Sequence, residues 1–94
     1  MSGAVRLGDI CSGHGAFPPR PSIEASSDVF VNGIPVVRIG DKWASHTDGI
    51  TVHDGFSSEA SSTVYANGLG VVRIGDAISC GSMCAEGSSN VTIG

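Results

Sequence analysis

The sequence predicts a small all-β domain built from three β-hairpin repeats that close into a ring. One block, residues 29–41, returns at 64–76 with the same residue types at nearly every position. The chain opens with the second half of this block, at 5–9, and closes with its first half, at 91–94. Its 14 glycines and few large side chains are typical of turn-rich β structure. We therefore interpret residues 1–94 as one domain.

Each complete copy of the block predicts a β-hairpin. The dipeptide Asn-Gly occurs at 32–33 and at 67–68, between runs of β-branched and aromatic residues. Asn-Gly favours a two-residue type I′ turn, because both residues adopt positive φ at low cost. Pro35 and Gly70 follow these turns and weaken a strand, so the arms should be short.

The third hairpin has to be formed by the two ends of the chain. Residues 91–93 match the first arm of a unit, and residues 5–7 match the second half of the block. We expect these two segments to lie side by side, with the N- and C-termini as neighbours. Three such units would then be related by a pseudo-threefold axis.

Three long segments connect the hairpins, at 8–28, 40–63 and 75–90, and we expect them to be loops. Loops of this length in a small domain are usually functional. If the three units are equivalent, the loops converge on the axis. Every His and Cys of the chain lies in these loops: Cys11, His14, His46, His53, Cys80 and Cys84.

Three His and one Cys predict a closed tetrahedral zinc site. His14 and His46 each lie six residues after the Gly of a Gly-Asp pair, and Cys80 lies five residues after the third. His53, in the longest loop, completes a set of imidazole and thiolate ligands, which zinc prefers. Four protein ligands leave no position for water, so such a site is structural rather than catalytic.

The residues alone leave other uses of the cysteines open. Cys11 stands in a Cys-x-x-His spacing with His14, so Cys11 remains an alternative ligand, as does Cys84. A disulfide between Cys80 and Cys84 is the competing use. The odd count of three cysteines argues against that bridge.

Charge and hydropathy exclude several classes of function. A net charge of −4 with only five Lys and Arg residues provides no basic patch, so we expect no nucleic-acid partner. No run of about 18 apolar residues is present, so we expect no stable membrane insertion. The N-terminus has no signal-peptide core, and we expect a cytosolic protein unless a machine exports it.

An enzyme is the rival interpretation from another class. No serine stands on a Gly-x-Ser-x-Gly elbow, and the acid, base and nucleophile of a triad have no identifiable positions. A metallohydrolase needs an open metal position and a nearby base. The three Glu residues, which are Glu24, Glu59 and Glu86, lie away from the His residues in sequence. We therefore expect no catalytic activity.

The chain resembles the PAAR-repeat proteins over essentially its whole length. The motifs that carry the resemblance are the Val-Asn-Gly and Val-Arg-Ile-Gly-Asp blocks, the Cys-Ser-Gly-His-Gly loop at 11–15, Phe-Pro-Pro-Arg-Pro at 17–21 and Cys-Gly-Ser at 80–82. The resemblance implies a small cone of three pseudo-threefold hairpin repeats with metal-binding loops at its apex. Zn²⁺ would be held there by His14, His46, His53 and Cys80. Many members have Cys-x-x-His in the middle loop, whereas this chain has two His residues further apart.

The resemblance also implies a partner and a role. Members of the family cap the trimeric β-helical spike of the type VI secretion system, and similar proteins tip the central spikes of contractile phage tails. One copy is expected per spike trimer, either VgrG-like or of the phage type, to pierce a target-cell envelope and in some cases carry effectors. The protein would be assembled in the cytoplasm and delivered outside the cell, or would belong to a virion. The alternatives are a zinc-dependent hydrolase and a free zinc-binding adaptor.

An Arg recurs three residues before the Asp of each Gly-Asp pair. One interpretation is a ring of charges that binds the spike or a cargo. The other is a structural turn, in which Asp accepts hydrogen bonds from nearby backbone and the Arg stem covers the hairpin. We favour the turn. The pairs are Arg6 with Asp9, Arg38 with Asp41, and Arg73 with Asp76.

Overall fold

Within residues 2–94, which the computed structural model describes, the chain forms eight short β-strands and no helix. The strands form four antiparallel pairs, so the predicted all-β class is confirmed. None of the described residues belongs to a helix that is long and apolar enough to cross a membrane. The strands are β1 (Ser2–Gly3), β2 (Phe30–Val31), β3 (Ile34–Pro35), β4 (Lys42–Thr47), β5 (Val52–Phe56), β6 (Tyr65–Ala66), β7 (Leu69–Gly70) and β8 (Thr92–Ile93).

The two Asn-Gly hairpins form where the sequence predicts them. β2 pairs with β3 and β6 pairs with β7, and each arm is two residues long. Asn32 and Asn67 have φ of 55° and 56°, and the glycines that follow have φ of 75° and 77°. Positive φ at both central residues is the type I′ requirement, which Asn and Gly meet with little strain.

The third unit is closed by the two ends of the chain, but in a different register from the one expected. β1 pairs with β8, with Ser2 opposite Ile93, so the two ends are neighbours. The Ala4 N–H then donates to the Val91 carbonyl at 3.0 Å. Residues 2–4, and not 5–7, therefore form the second arm, and the expected pairing with 5–7 is wrong.

The other two units explain this register. Val36 donates its N–H to Val29, and Val71 donates to Val64, each at 3.0 Å. Ala4 occupies the same place in the third unit as Val36 and Val71. The repeated block at 5–9 begins directly after this arm, so it does not mark the arm itself.

A closed ring of backbone hydrogen bonds joins the three units. Val5 donates to Val72 at 2.9 Å, Val72 donates to Val37 at 3.0 Å, and Val37 donates to Val5 at 2.9 Å. All three valines are completely buried. Burial of these backbone groups costs little because each is paired. The ring sits in the main core cluster, whose buried members are Val5, Cys11, Val37, Trp43, Val72, Ile78 and Cys84.

The three Arg–Asp pairs form equivalent turns. In each pair the Asp carboxylate accepts the backbone N–H and the guanidinium of the Arg three residues earlier, at 2.7–3.2 Å. The three Asp residues are 3–5% exposed, so these are interior supports of the turns. This geometry matches the turn interpretation, and the hydrogen bond to each Asp is the largest cause that raises the pKa of its Arg.

The middle connection, predicted as a loop over 40–63, contains the longest hairpin of the protein. β4 and β5 pair across a turn in which the Asp48 carboxylate accepts the N–H groups of Ile50 and Thr51 at 2.9 and 2.7 Å. The loop prediction is therefore wrong for residues 42–56. The Asp-Gly dipeptide at 48–49 was the available signal, since Asp-Gly between alternating residues favours a hairpin.

Candidate metal centre

The hairpin of β4 and β5 places His46 and His53 on the same face. The two residues lie directly opposite each other, and opposite side chains share a face. The register shifts between Trp43 and His46, which adds one residue to β4. Without this bulge, strict alternation would turn His46 away from the side of Trp43. With the bulge, Trp43 and His46 lie on the same side and are both buried, at 4% exposure each.

A tight turn in the first loop presents His14. The His14 N–H donates to the Phe17 carbonyl at 3.0 Å, and the Phe17 N–H donates back at 2.9 Å. Gly13 has φ of 71°, and a Cβ there would lie 2.6 Å from the Phe17 carbonyl oxygen. This position therefore requires glycine.

The Phe17 ring packs among the imidazoles. Its centroid lies 3.9 Å from that of His53, with the planes 9° apart, and 4.8 Å from that of His14. It also lies 5.0 Å from the His46 ring. Phe17 thus fixes the orientation of the His side chains. The sequence pattern did not identify this role. The available signal was the three-residue separation of His14 and Phe17, which is the separation of the first and last residues of a tight turn.

The third loop presents Cys80 next to β5. Ser79 donates its N–H to the Phe56 carbonyl at 2.9 Å, and its hydroxyl accepts the Phe56 N–H at 3.0 Å. Gly81 closes the turn with φ of 105°. A Cβ at Gly55 would lie 3.2 Å from the Cys80 Sγ, so the approach of strand and thiol depends on glycine at that position.

These three segments bring together three of the four predicted ligands. One nitrogen of His14, one nitrogen of His46 and the Cys80 Sγ all lie within 4.8 Å of one another. The Nε2 atoms of the two His residues are 3.2 Å apart. Two nitrogens at about 2.0–2.1 Å from a tetrahedral ion are about 3.3 Å apart, so the group has the dimensions of a metal site.

His53 lies beside this group rather than within it. Its Nδ1 is 3.5 Å from the Nε2 of His14, and the two rings are stacked with centroids 5.3 Å apart. The structure therefore groups His14, His46 and Cys80, and leaves His53 adjacent to His14.

Neighbouring groups favour the metal-binding form of the imidazoles. The His46 Nδ1 lies 2.9 Å from the Pro18 carbonyl, which can only accept, so the neutral tautomer that fits this contact has its free Nε2 lone pair facing His14. Loss of hydration lowers the pKa of His14, and the charges of His46 and His53 lower it further. A neutral imidazole is the form that binds metal.

The two alternative ligands occupy the core. Cys11 and Cys84 are 3% and 2% exposed and belong to the cluster around the valine ring. Burial raises the pKa of the Cys84 thiol to about 12, which disfavours the thiolate that a metal requires. Neither residue belongs to the His14, His46 and Cys80 group, and all three cysteines are free thiols.

Comparison with models of known protein families finds no matching family, and comparison with curated proteins finds no relative. The resemblance to PAAR-repeat proteins therefore rests on the motifs of the sequence. The chemistry of the site rests on the geometry of its side chains.

Proposed function

We propose that this protein is a zinc-stabilised structural tip that caps a trimeric β-helical spike. The observation that carries the proposal is the closed ring of Val5, Val37 and Val72, because it joins three like units within a single chain. The metal group is built from the connections between those same units. The overall dimensions of 38 × 23 × 22 Å fit an elongated tip.

Symmetry matching supports the partner. The blunt end of a trimeric β-helix exposes three sets of unpaired strand ends and an apolar cross-section, both of which are liabilities in water. A chain with three equivalent units can cover all three with nearly the same contacts. One copy per trimer is then sufficient, and a second copy finds the end already covered.

The hairpin arms provide an apolar surface for this contact. Phe30 and Tyr65 occupy the same position in two units and are 54% and 59% exposed. Leu69, on the arm beside Tyr65, is 39% exposed. Large apolar side chains exposed at equivalent positions of two hairpins fit a surface that a partner covers. We propose that this hairpin surface binds the spike.

Zinc would give rigidity to the three connections between the hairpin units. Imidazole and thiolate ligands favour zinc over calcium and magnesium, which prefer oxygen ligands. With His53 as the fourth ligand beside His14, His46 and Cys80, the site is closed and therefore structural. It would tie the three connections together, since each supplies at least one ligand. A structural zinc contributes an apparent ~10–16 kcal/mol in small peptides, which is comparable with the stability of a whole domain.

The proposed role is mechanical. A tip of this kind is assembled on the spike in the cytoplasm and driven through a target-cell envelope, with or without an effector attached, or it forms the point of a phage tail. Neither a hydrolase nor a free adaptor is favoured. Glu24 and Glu59 accept backbone N–H groups of Lys42 and Ala77, each at 3.0 Å, and so serve as structural acceptors rather than as bases beside the metal group.

Binding to a trimeric β-helical spike protein tests the proposal. Tyr65→Asp introduces a charge on the hairpin surface, and we expect at least a tenfold loss of affinity in surface-immobilised binding assays. Ile50→Asp is the matched control, because Ile50 is 93% exposed in the turn between β4 and β5, which belongs to a different hairpin. Equal affinity for both variants and the natural chain would contradict the assigned surface.

A further inference from the structure

Cys11 and Cys84 face each other across the first and third connections. They form an isolated antiparallel bridge, which places each directly opposite the other. Hydrogen bonds between the neighbouring residues flank the pair, so Cys11 and Cys84 are a non-hydrogen-bonded pair. The Cα atoms of such a pair are about 4.5 Å apart, with side chains on the same face. The flanking bonds run from Ser12 N to Met83 O at 2.8 Å and from Ala85 N to Ile10 O at 3.1 Å.

This spacing falls within the range that a disulfide spans, in which Cα atoms are about 4.4–6.8 Å apart. Both side chains also belong to the same buried cluster, at 3% and 2% exposure. Neither has a place in the metal group. Equivalent bridges elsewhere pair Ser22 with Trp43 and Ser57 with Ile78, so a pair of thiols occurs at one of the three sites.

We propose that Cys11 and Cys84 are a disulfide-forming pair, a modification site that is independent of the metal group and of any partner. The oxidant is a small-molecule disulfide such as glutathione disulfide. The Cys11 thiolate attacks one glutathione sulfur and releases one glutathione thiolate. Cys84 then loses its proton and attacks the Cys11 sulfur of the mixed disulfide, which releases the second glutathione. Two protein thiols and one glutathione disulfide thus give one protein disulfide and two molecules of glutathione.

The bond would make the closure of the ring covalent. Without it, the ends of the chain are held by β1 and β8, which pair over two residues each. A Cys11–Cys84 bond would cross-link the segments at 8–28 and 75–90, which lie on either side of the two chain ends. A cross-link between distant residues restricts the unfolded chain strongly, and so stabilises the folded one.

The test starts from the unfolded chain, because burial of both thiols slows their oxidation in the folded protein. The full-length protein is refolded from guanidinium with zinc, in a glutathione redox buffer, and is then denatured and alkylated with N-ethylmaleimide. We expect an intact mass reduced by two hydrogens with one maleimide, and peptide mapping should place the maleimide on Cys80. The oxidised protein should melt on the order of 10 °C higher than the reduced one, and dithiothreitol should reverse the shift.

Two variants separate this pairing from its competitors. Cys80→Ser should keep the disulfide, whereas Cys84→Ser should leave Cys11 and Cys80 both alkylated. A bond between Cys80 and either other cysteine would overturn the proposal. Three alkylated thiols after refolding of the natural chain, or stable glutathione adducts in place of an internal bond, would overturn it as well.

Discussion

At the residue scale, the candidate site depends on side chains that the sequence identifies and on neighbours that it does not. His14, His46 and Cys80 could be selected because they follow Gly-Asp pairs at nearly the same offset. The stacking of Phe17 and the close approach of Gly55 to Cys80 could not be. Both are contacts between separate connections, and a local pattern carries no information about such contacts.

Replacement of Cys80 should remove the metal. We expect near-equimolar zinc in the purified natural protein, and Cys80→Ala should lose most of it and melt on the order of 10 °C lower or more, since a structural zinc contributes folding energy directly. Elemental analysis and thermal melts measure both. Cys84→Ala is the control and should keep the zinc. If Cys84→Ala or Cys11→Ala loses the metal while Cys80→Ala keeps it, the ligand assignment is wrong.

Gly55→Ala should weaken the site without removing a ligand. The added Cβ would lie 3.0 Å from the Cγ2 of Ile78 and 3.2 Å from the Cys80 Sγ, so the third connection has to move. We expect a loss of stability of about 1–3 kcal/mol and a weaker affinity for zinc in chelator competition. Val52→Ala, at a 67% exposed position of the same strand, is the control. An unchanged zinc affinity for Gly55→Ala would show that this contact does not position the thiol.

At the scale of the elements, the sequence predicts the hairpins whose turns are local and misses the features set by pairing. The Asn-Gly turns at 32–33 and 67–68 are determined by two residues each. The bulge in β4 and the register of β1 against β8 are not. The partner arm at 2–4 contains Ser and Gly, which are not typical strand residues. The repeated block beside it therefore led to the wrong prediction that residues 5–7 pair with the C-terminal strand.

The Arg–Asp turns should contribute measurably to stability. Asp41 is 3% exposed and accepts the backbone N–H of Arg38 and its guanidinium at 2.8–2.9 Å. Asp41→Asn removes the charge from this buried pair, and we expect a loss of about 2–3 kcal/mol in chemical denaturation. Asp54→Asn is the control, because Asp54 is exposed and should change stability by less than about 0.5 kcal/mol. Equal effects would mean that the turns are not supported by these carboxylates.

At the scale of the whole molecule, the internal repeat predicts a ring, and the hydrogen bonds among Val5, Val37 and Val72 close one. The repeat was readable because each unit keeps its own copy of the same turn and core residues. The elongated hairpin of β4 and β5 has no counterpart in the other two connections, so the repeat does not predict it, and its signal is the local Asp-Gly dipeptide at 48–49.

A circular permutant tests the ring directly. Gly94 is joined to the N-terminus through Asn-Gly, and the chain is opened between Asn67 and Gly68, where the existing turn is exposed. We expect the permutant to fold and bind zinc, because the new turn copies the two natural ones. Circular dichroism and zinc content measure this. An unfolded permutant would count against a closed ring of equivalent units.

The mass of the complex with a spike trimer tests the central claim most directly. Light scattering coupled to size-exclusion chromatography should give one copy of this chain per three spike subunits. The complex should persist at raised salt, because apolar and strand-edge contacts are screened little. The chain alone should remain a monomer. Three copies per trimer, trimerisation of the chain alone, or no complex at micromolar concentration would contradict the account.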